Sequence, residues 1–305
     1  MQVKGVRPRP QTSADARRCF PSPVPTAGTM ASLRMSALRP ILVLFLLLQL
    51  AGCAARGDIT RPIPTTFVAA PQPAHRLVVM LPGRGDSLRS LSDIGMARFI
   101  QQTWPDADVI LTGLTMPFYR QGCAVQRLHD EVIEPARRAT YQQVWLAGIS
   151  LGGMGALMYD ERYPDQIDGL LVLSPYLGDA AIHREIRQAG GLANWHPGSP
   201  QTIAPDTFAR ELWRHLQGWS QRPQRTRSVW LAYGAEEPFR ASIELMRPLL
   251  PADHVVMLPG HHDWKLWKPA MRTLLERAAR SPTWRLNQPD AQTPAAAPGS
   301  CISAR

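Results

Sequence analysis

The stretch Ala147-Gly148-Ile149-Ser150-Leu151-Gly152-Gly153-Met154-Gly155-Ala156-Leu157 sets one serine among four glycines. Its centre fits Gly-x-Ser-x-Gly, a five-residue pattern that means little without its surroundings. Here the surroundings carry the reading. Val144 to Leu146 has the apolar character of a buried strand, and Gly152 to Tyr159 reads as a helix. Ser150 therefore falls on a strand-to-helix turn. A turn that sharp holds its central residue in strained backbone angles and crowds the neighbouring Cα atoms, which accounts for Gly148 and Gly152. Gly153, Gly155 and Ala156 are expected to let the helix lie close on the sheet. The helix start directs free N–H groups and a positive dipole end at the hydroxyl, which suits a nucleophile better than a plain helix cap.

Outward from this turn the chain alternates short apolar runs with longer amphipathic stretches. "RLVVML" (76–81), "DVILTG" (108–113), "QVWLAG" (143–148), "GLLVLS" (169–174), "SVWLAY" (228–233) and "HVVMLP" (254–259) have the length and the Val/Leu content of buried parallel strands. Between them Val125, Leu128, Val132 and Ala136 share one helical face, with Pro135 expected to kink or divide that helix. Trp267, Met271, Leu274, Leu275 and Ala278 repeat the spacing near the end. Strands alternating with helices imply an α/β domain with a mostly parallel sheet covered on both faces. Residues 178–225 break the rhythm and read as a helical insertion over the sheet edge. Its Trp195, Trp213 and Trp219 suit either a substrate surface or the core.

A serine hydroxyl needs a base within hydrogen-bond reach, itself oriented by an acid. The loop after the last strand, "LPGHHDWKLW" (258–267), supplies His261 and His262. The loop after "SVWLAY" supplies Glu236 and Glu237. An oxyanion hole needs two N–H donors, which the position of the turn assigns to Leu151 and to Arg84 in Pro82-Gly83-Arg84-Gly85-Asp86. The Arg84 side chain is a candidate for an acidic substrate group or for solvent. His261, His262 and Asp263 are too close in sequence to converge on a metal, and no further ligand set is evident, so neither metal nor cofactor is expected.

These residues resemble the α/β-hydrolase superfamily over roughly Leu77 to Arg280. "SLGGMGAL", "LSPYLG" and "GHHDWKLW" are similar to the esterase D/S-formylglutathione hydrolase branch and related envelope esterases. The resemblance implies an α/β-hydrolase fold with a small helical insertion over the active-site edge, and a nucleophile, acid and base of Ser150, Glu237 and His262. His262 is favoured because the branch places its histidine directly before Asp-Trp, and Glu237 by a Gly-x-x-acid spacing. The sequence departs from the pattern in using Glu where Asp is usual, His261 where Gly is frequent, and Pro82-Gly83 where the oxyanion loop usually begins His-Gly.

The flanks add a location. Met35 to Cys53, "MSALRPILVLFLLLQLAGC", has a basic start, an apolar run too short to span a bilayer comfortably, and small residues before a cysteine. It resembles a bacterial lipoprotein signal, with translation starting at Met30 or Met35, residues 30–52 removed and Cys53 acylated. Residues 1–29 then precede the true start, 53–74 form a Pro-rich tether, 75–281 the folded domain, and 282–305 a disordered tail. Of the net charge of +10, seven Lys or Arg and one Asp lie before Cys53, which leaves +4 for the rest. No basic block interleaved with aromatics remains, and nucleic acid is not an expected partner. Cys123 and Cys301 are left as a disulfide pair or two thiols. The functional expectation is a lipid-anchored serine hydrolase of a small-molecule ester, facing the periplasm. An envelope acyltransferase with the same triad, or a non-catalytic binding lipoprotein on this fold, are the alternatives.

Overall fold

The computed structural model of the chain describes residues 58–139 and 141–281. The proposed signal, Cys53, Cys301 and the C-terminal tail lie outside the described residues. Seven strands form one sheet in the order β1-β3-β2-β4-β5-β6-β7. They are β1 (Thr65–Val68), β2 (Arg76–Leu81), β3 (Ala107–Thr112), β4 (Gln143–Ile149), β5 (Gly169–Leu173), β6 (Val229–Gly234) and β7 (Val255–Leu258). All pairings are parallel except that of β1 with β3. The strand order reverses between β2 and β4, so the carboxyl ends of these two strands flank the crevice where ligands bind in open α/β sheets.

Alternation within each strand divides the core into two layers. Leu77, Val79 and Leu81 of β2, with Val144 and Leu146 of β4, enter one cluster. Val78, Met80, Trp145, Ala147 and Ile149 enter the other. The first face is covered by α3 (Met116–Arg120), α4 (Ala124–Leu128), α5 (Glu134–Arg137), α6 (Leu151–Arg162), α7 (Ala180–Gln188), α8 (Phe208–Trp219) and α9 (Arg240–Met246). The second is covered by α1 (Leu88–Asp93), α2 (Met96–Gln101) and α10 (Trp264–Arg280). Every residue of β2, β4, β5 and β6 is buried, as strands covered on both faces must be. The five apolar residues read from the sequence on α10 are all core.

Two expectations change, and one about Pro135 holds. Part of the stretch read as a tether belongs to the domain: Thr65 to Val68 pairs in register with Thr112 to Val109. An edge strand uses only one ladder, so a half-exposed "TTFV" after two prolines suffices. Its approach is fixed by Arg127, which donates to the carbonyls of Ile59 and Arg61, and by Glu131, which accepts from the Ile63 amide at 2.6 Å. The helix holding Pro135 is divided as expected, by a π turn over His129–Ile133, a wider turn that accommodates the missing N–H. Gly155 does not serve the sheet. A Cβ there would fall 2.1 Å from the Tyr119 hydroxyl, so its role is to admit the Tyr119 side chain of α3 against α6.

The insertion is anchored rather than draped. Trp213 Nε1 donates to the Leu177 carbonyl at 2.8 Å, and a ring nitrogen of His183 meets the same oxygen at 2.9 Å. Glu185 joins α7 to α8 through the two terminal nitrogens of Arg210, at 2.9 and 2.6 Å. Trp195, Trp213 and Trp219 are buried, which resolves their reading in favour of core. Among the described residues no helix is long and apolar enough to cross a membrane.

Candidate active site

Strand β4 ends at Ile149 and α6 begins at Leu151, leaving Ser150 as the single residue between them. Its backbone angles are φ 54° and ψ −110°, a conformation that costs a non-glycine residue about 1–3 kcal/mol. Surrounding bonds hold it there: the Ser150 amide donates to the Leu173 carbonyl at 2.9 Å, and its carbonyl accepts from Met154 and Tyr176. A Cβ on Gly148 would lie 2.2 Å from the Gly152 carbonyl oxygen, and one on Gly152 would lie 2.5 Å from that of Leu81. Both contacts are with backbone and cannot relax, so both glycines are demanded by close approach. Gly148→Ala should therefore cost several kcal/mol or prevent folding. Thermal unfolding of that variant checks it; a Tm within a few degrees of wild type would contradict the close packing.

The turn brings three side chains into line. The Ser150 hydroxyl lies 2.9 Å from His262 Nε2, and His262 Nδ1 lies 2.9 Å from Glu237 Oε2. With Glu237 ionised, Nδ1–H donates to the carboxylate and Nε2 is left to accept from the serine. The other Glu237 oxygen accepts from the Gly234 amide at 3.2 Å. The Glu237 side chain is fully buried, so its charge has these partners in place of water. The His262 ring sits between Phe239 and Trp267, edge to face with each, at 4.8 and 4.9 Å between centroids. Trp267 Nε1 in turn donates to Ser174 Oγ at 3.1 Å.

The neighbouring candidates are engaged elsewhere. A ring nitrogen of His261 lies 3.3 Å from the Glu236 carbonyl, and the Glu236 carboxylate accepts from the Gly260 amide. Both side chains fasten the two loops to each other, away from Ser150. Among the described residues no group of three or more His, Cys, Asp or Glu side chains is placed to hold a metal.

Leu151 and Arg84 border the same cavity as Ser150, and neither amide donates to a protein acceptor among the described residues. The Leu151 amide is free because it opens a helix. The loop carrying Arg84 is held by side chains that motif reading did not single out. Asp86 Oδ1 accepts from Trp264 Nε1 at 3.1 Å, and the Asp86 amide donates back to Gly83 at 3.1 Å. Trp264 packs edge-on against Trp267, the ring beneath His262. One hydrogen bond thus ties the loop of Arg84 to the loop of His262. Asp86→Ala should lower kcat roughly three- to tenfold with little change in KM, and Asp86→Asn, which keeps an acceptor oxygen, should restore most of it. Equal losses in both variants would assign Asp86 no such part.

The cavity measures about 470 Å³, within the range of small-molecule sites. Met116, Tyr119, Val125, Met154, Met158 and Phe239 line it from the domain, and Ile203, Ala204, Pro205 and Phe208 from the insertion. The insertion supplies the wall through these residues and not through its tryptophans. Their only signal in the sequence is apolar character in an irregular segment. Burial pushes the Tyr119 phenol well above its ordinary pKa, so the hydroxyl stays neutral.

A family model described as "Putative esterase" matches residues 128–278, the span that holds Ser150, Glu237 and His262. The chain is an esterase of the α/β-hydrolase superfamily. Among solved structures a ferulic acid esterase superposes with a TM-score of 0.51 at 14% identity, over 72% of this chain and 97% of that one, which supports the fold. S-formylglutathione hydrolase FrmB from Staphylococcus aureus is similar at 11% identity and TM-score 0.47, over 73% and 100% of the two chains. Monoacylglycerol lipase from Paleococcus ferrophilus gives 14% and 0.45, over 72% and 100%. No curated protein sequence matches the chain. The esterase is a serine hydrolase, and its chemistry is ester hydrolysis.

Proposed function

We propose that this esterase is a lipid-anchored envelope enzyme that works through an acyl-enzyme on Ser150, with His262 as base and Glu237 as its orienting acid. The unbroken hydrogen-bond chain from Ser150 through His262 to Glu237, at the mouth of an apolar cavity, carries the mechanism. Ser150 Oγ attacks the ester carbonyl as its proton passes to His262 Nε2. Negative charge gathers on the carbonyl oxygen between the amides of Leu151 and Arg84. The imidazolium is stabilised by Glu237 and returns the proton to the departing alcohol. Water then repeats the sequence on the acyl-serine and frees the acid. A fluorophosphonate probe should label the wild type and leave Ser150→Ala unlabelled; equal labelling of both would remove Ser150 from this role.

The anchor rests on Leu50-Ala51-Gly52-Cys53 after the apolar run. Acylation of Cys53 would hold the domain on a membrane facing the periplasm, and more than one chain is needed because a single one binds only marginally. Cys53→Ser should accumulate as an unprocessed precursor and lose incorporated fatty acid. Normal processing of that variant, measured by mass and by labelled palmitate, would refute the anchor.

A further inference from the structure

The cavity beside Ser150 is chemically lopsided. Among the residues that line it only Arg84 and Arg120 are charged, and both are positive. Arg84 leaves the oxyanion loop and Arg120 ends α3, and both are exposed. Neither guanidinium forms an ion pair or hydrogen bond with another described residue. Asp86 and Asp179 stand near this end of the cavity, and neither forms an ion pair with either arginine. Asp86 accepts from Trp264, and Asp179 caps α7 by accepting from the Ala181 and Ile182 amides. Apart from Ser150, Tyr119 and Tyr176 the remaining wall is apolar, and three of its side chains are methionines, whose flexible thioethers adapt to a chain without fixing its shape.

We infer, on the serine-esterase reading above, that the preferred substrate joins an apolar acyl group to an alcohol bearing a negative charge, a carboxylate or phosphate. The acyl group lies in the cavity and the charge meets Arg84 and Arg120. The assignment of the two ends follows from the order of events. The acyl group stays on Ser150 while water enters, so it belongs against the apolar wall of the cavity. The alcohol must leave in the first step, so its charged part belongs at the solvent-facing rim where the arginines stand. A guanidinium presents paired N–H donors that match carboxylate and phosphate oxygens, and beside an apolar wall this attraction is less screened than in open water.

The experiment uses the full chain in mild detergent and two chromogenic esters, 4-nitrophenyl octanoate and 3-carboxy-4-nitrophenyl octanoate. The readout is the ratio of kcat/KM for the charged ester over the neutral one, taken within each protein so that any general loss of rate cancels. The ratio should fall roughly tenfold or more from wild type to Arg120→Gln, and again in Arg84→Gln. Octyl phosphate should inhibit wild type at a concentration at least about tenfold lower than 1-octanol, a comparison that needs no variant. An unchanged ratio in both variants, or equal inhibition by octyl phosphate and octanol, would overturn the inference and leave the esterase standing. Hydrolysis of neither ester, with no fluorophosphonate labelling, would remove the serine-hydrolase reading and this inference with it.

Discussion

Ser150→Ala is expected to lower kcat/KM for activated esters by roughly 10⁴-fold or more, about 5.5 kcal/mol of transition-state stabilisation. The oxygen removed is the one that would form the covalent bond, and no neighbouring side chain can replace it. His262 can then only deprotonate water, without the covalent route through the serine. The Leu151 and Arg84 amides and the cavity would still bind substrate, so KM should change little beside kcat. The fold should persist. The serine hydroxyl makes one hydrogen bond, to His262, while the turn is held by backbone bonds to Leu173, Met154 and Tyr176. Alanine tolerates the angles at position 150 no better than serine, so a Tm close to wild type is expected. Turnover within tenfold of wild type in a folded variant would place the active centre elsewhere.

That expectation began with eleven residues, and the reason it did is physical. A strand buried on both faces must be a short unbroken apolar run, and six such runs were visible; all six are strands. The serine turn was visible because its crowding forces glycine at Gly148 and Gly152. β1 escaped because a half-exposed edge strand needs no apolar run, and its prolines made it look like a linker. α1 and α2 are six residues each, too short for a helical period to stand out. Gly155 was misread because a glycine reports that something comes near, not which element does, and here it is Tyr119. The cavity wall was the least legible part. Met116, Met154, Phe208 and Phe239 come from separate segments, and only folding brings them to one surface. The bond from Trp264 to Asp86 spans 178 positions, and nothing local announces it.

The second large effect concerns two adjacent pairs, and sequence alone left both open. His262→Ala should reduce kcat/KM nearly as much as loss of Ser150, because nucleophile and base act as a unit. Glu237→Gln should cost less, roughly 10²–10⁴-fold. The amide can keep a contact with the Gly234 N–H, but it no longer stabilises an imidazolium and tends to select the wrong tautomer. Glu237→Gln also leaves a buried polar group short of one partner, so some loss of Tm should accompany the loss of rate. His261→Ala and Glu236→Gln should stay within roughly tenfold of wild type, a change of about 1.4 kcal/mol in the barrier. The geometry explains the asymmetry. Residues next to each other in a loop project apart: the His262 ring is gripped between Phe239 and Trp267 and aimed at Ser150, while His261 is exposed and meets only the Glu236 carbonyl. Glu236 ties down Gly260, two residues before His262, so its loss should loosen the loop without removing a reacting group. Steady-state kinetics on the four variants with one activated ester separates these roles. Should His261→Ala prove inactive while His262→Ala turns over normally, the proton path through Nε2 of His262 would have to be abandoned.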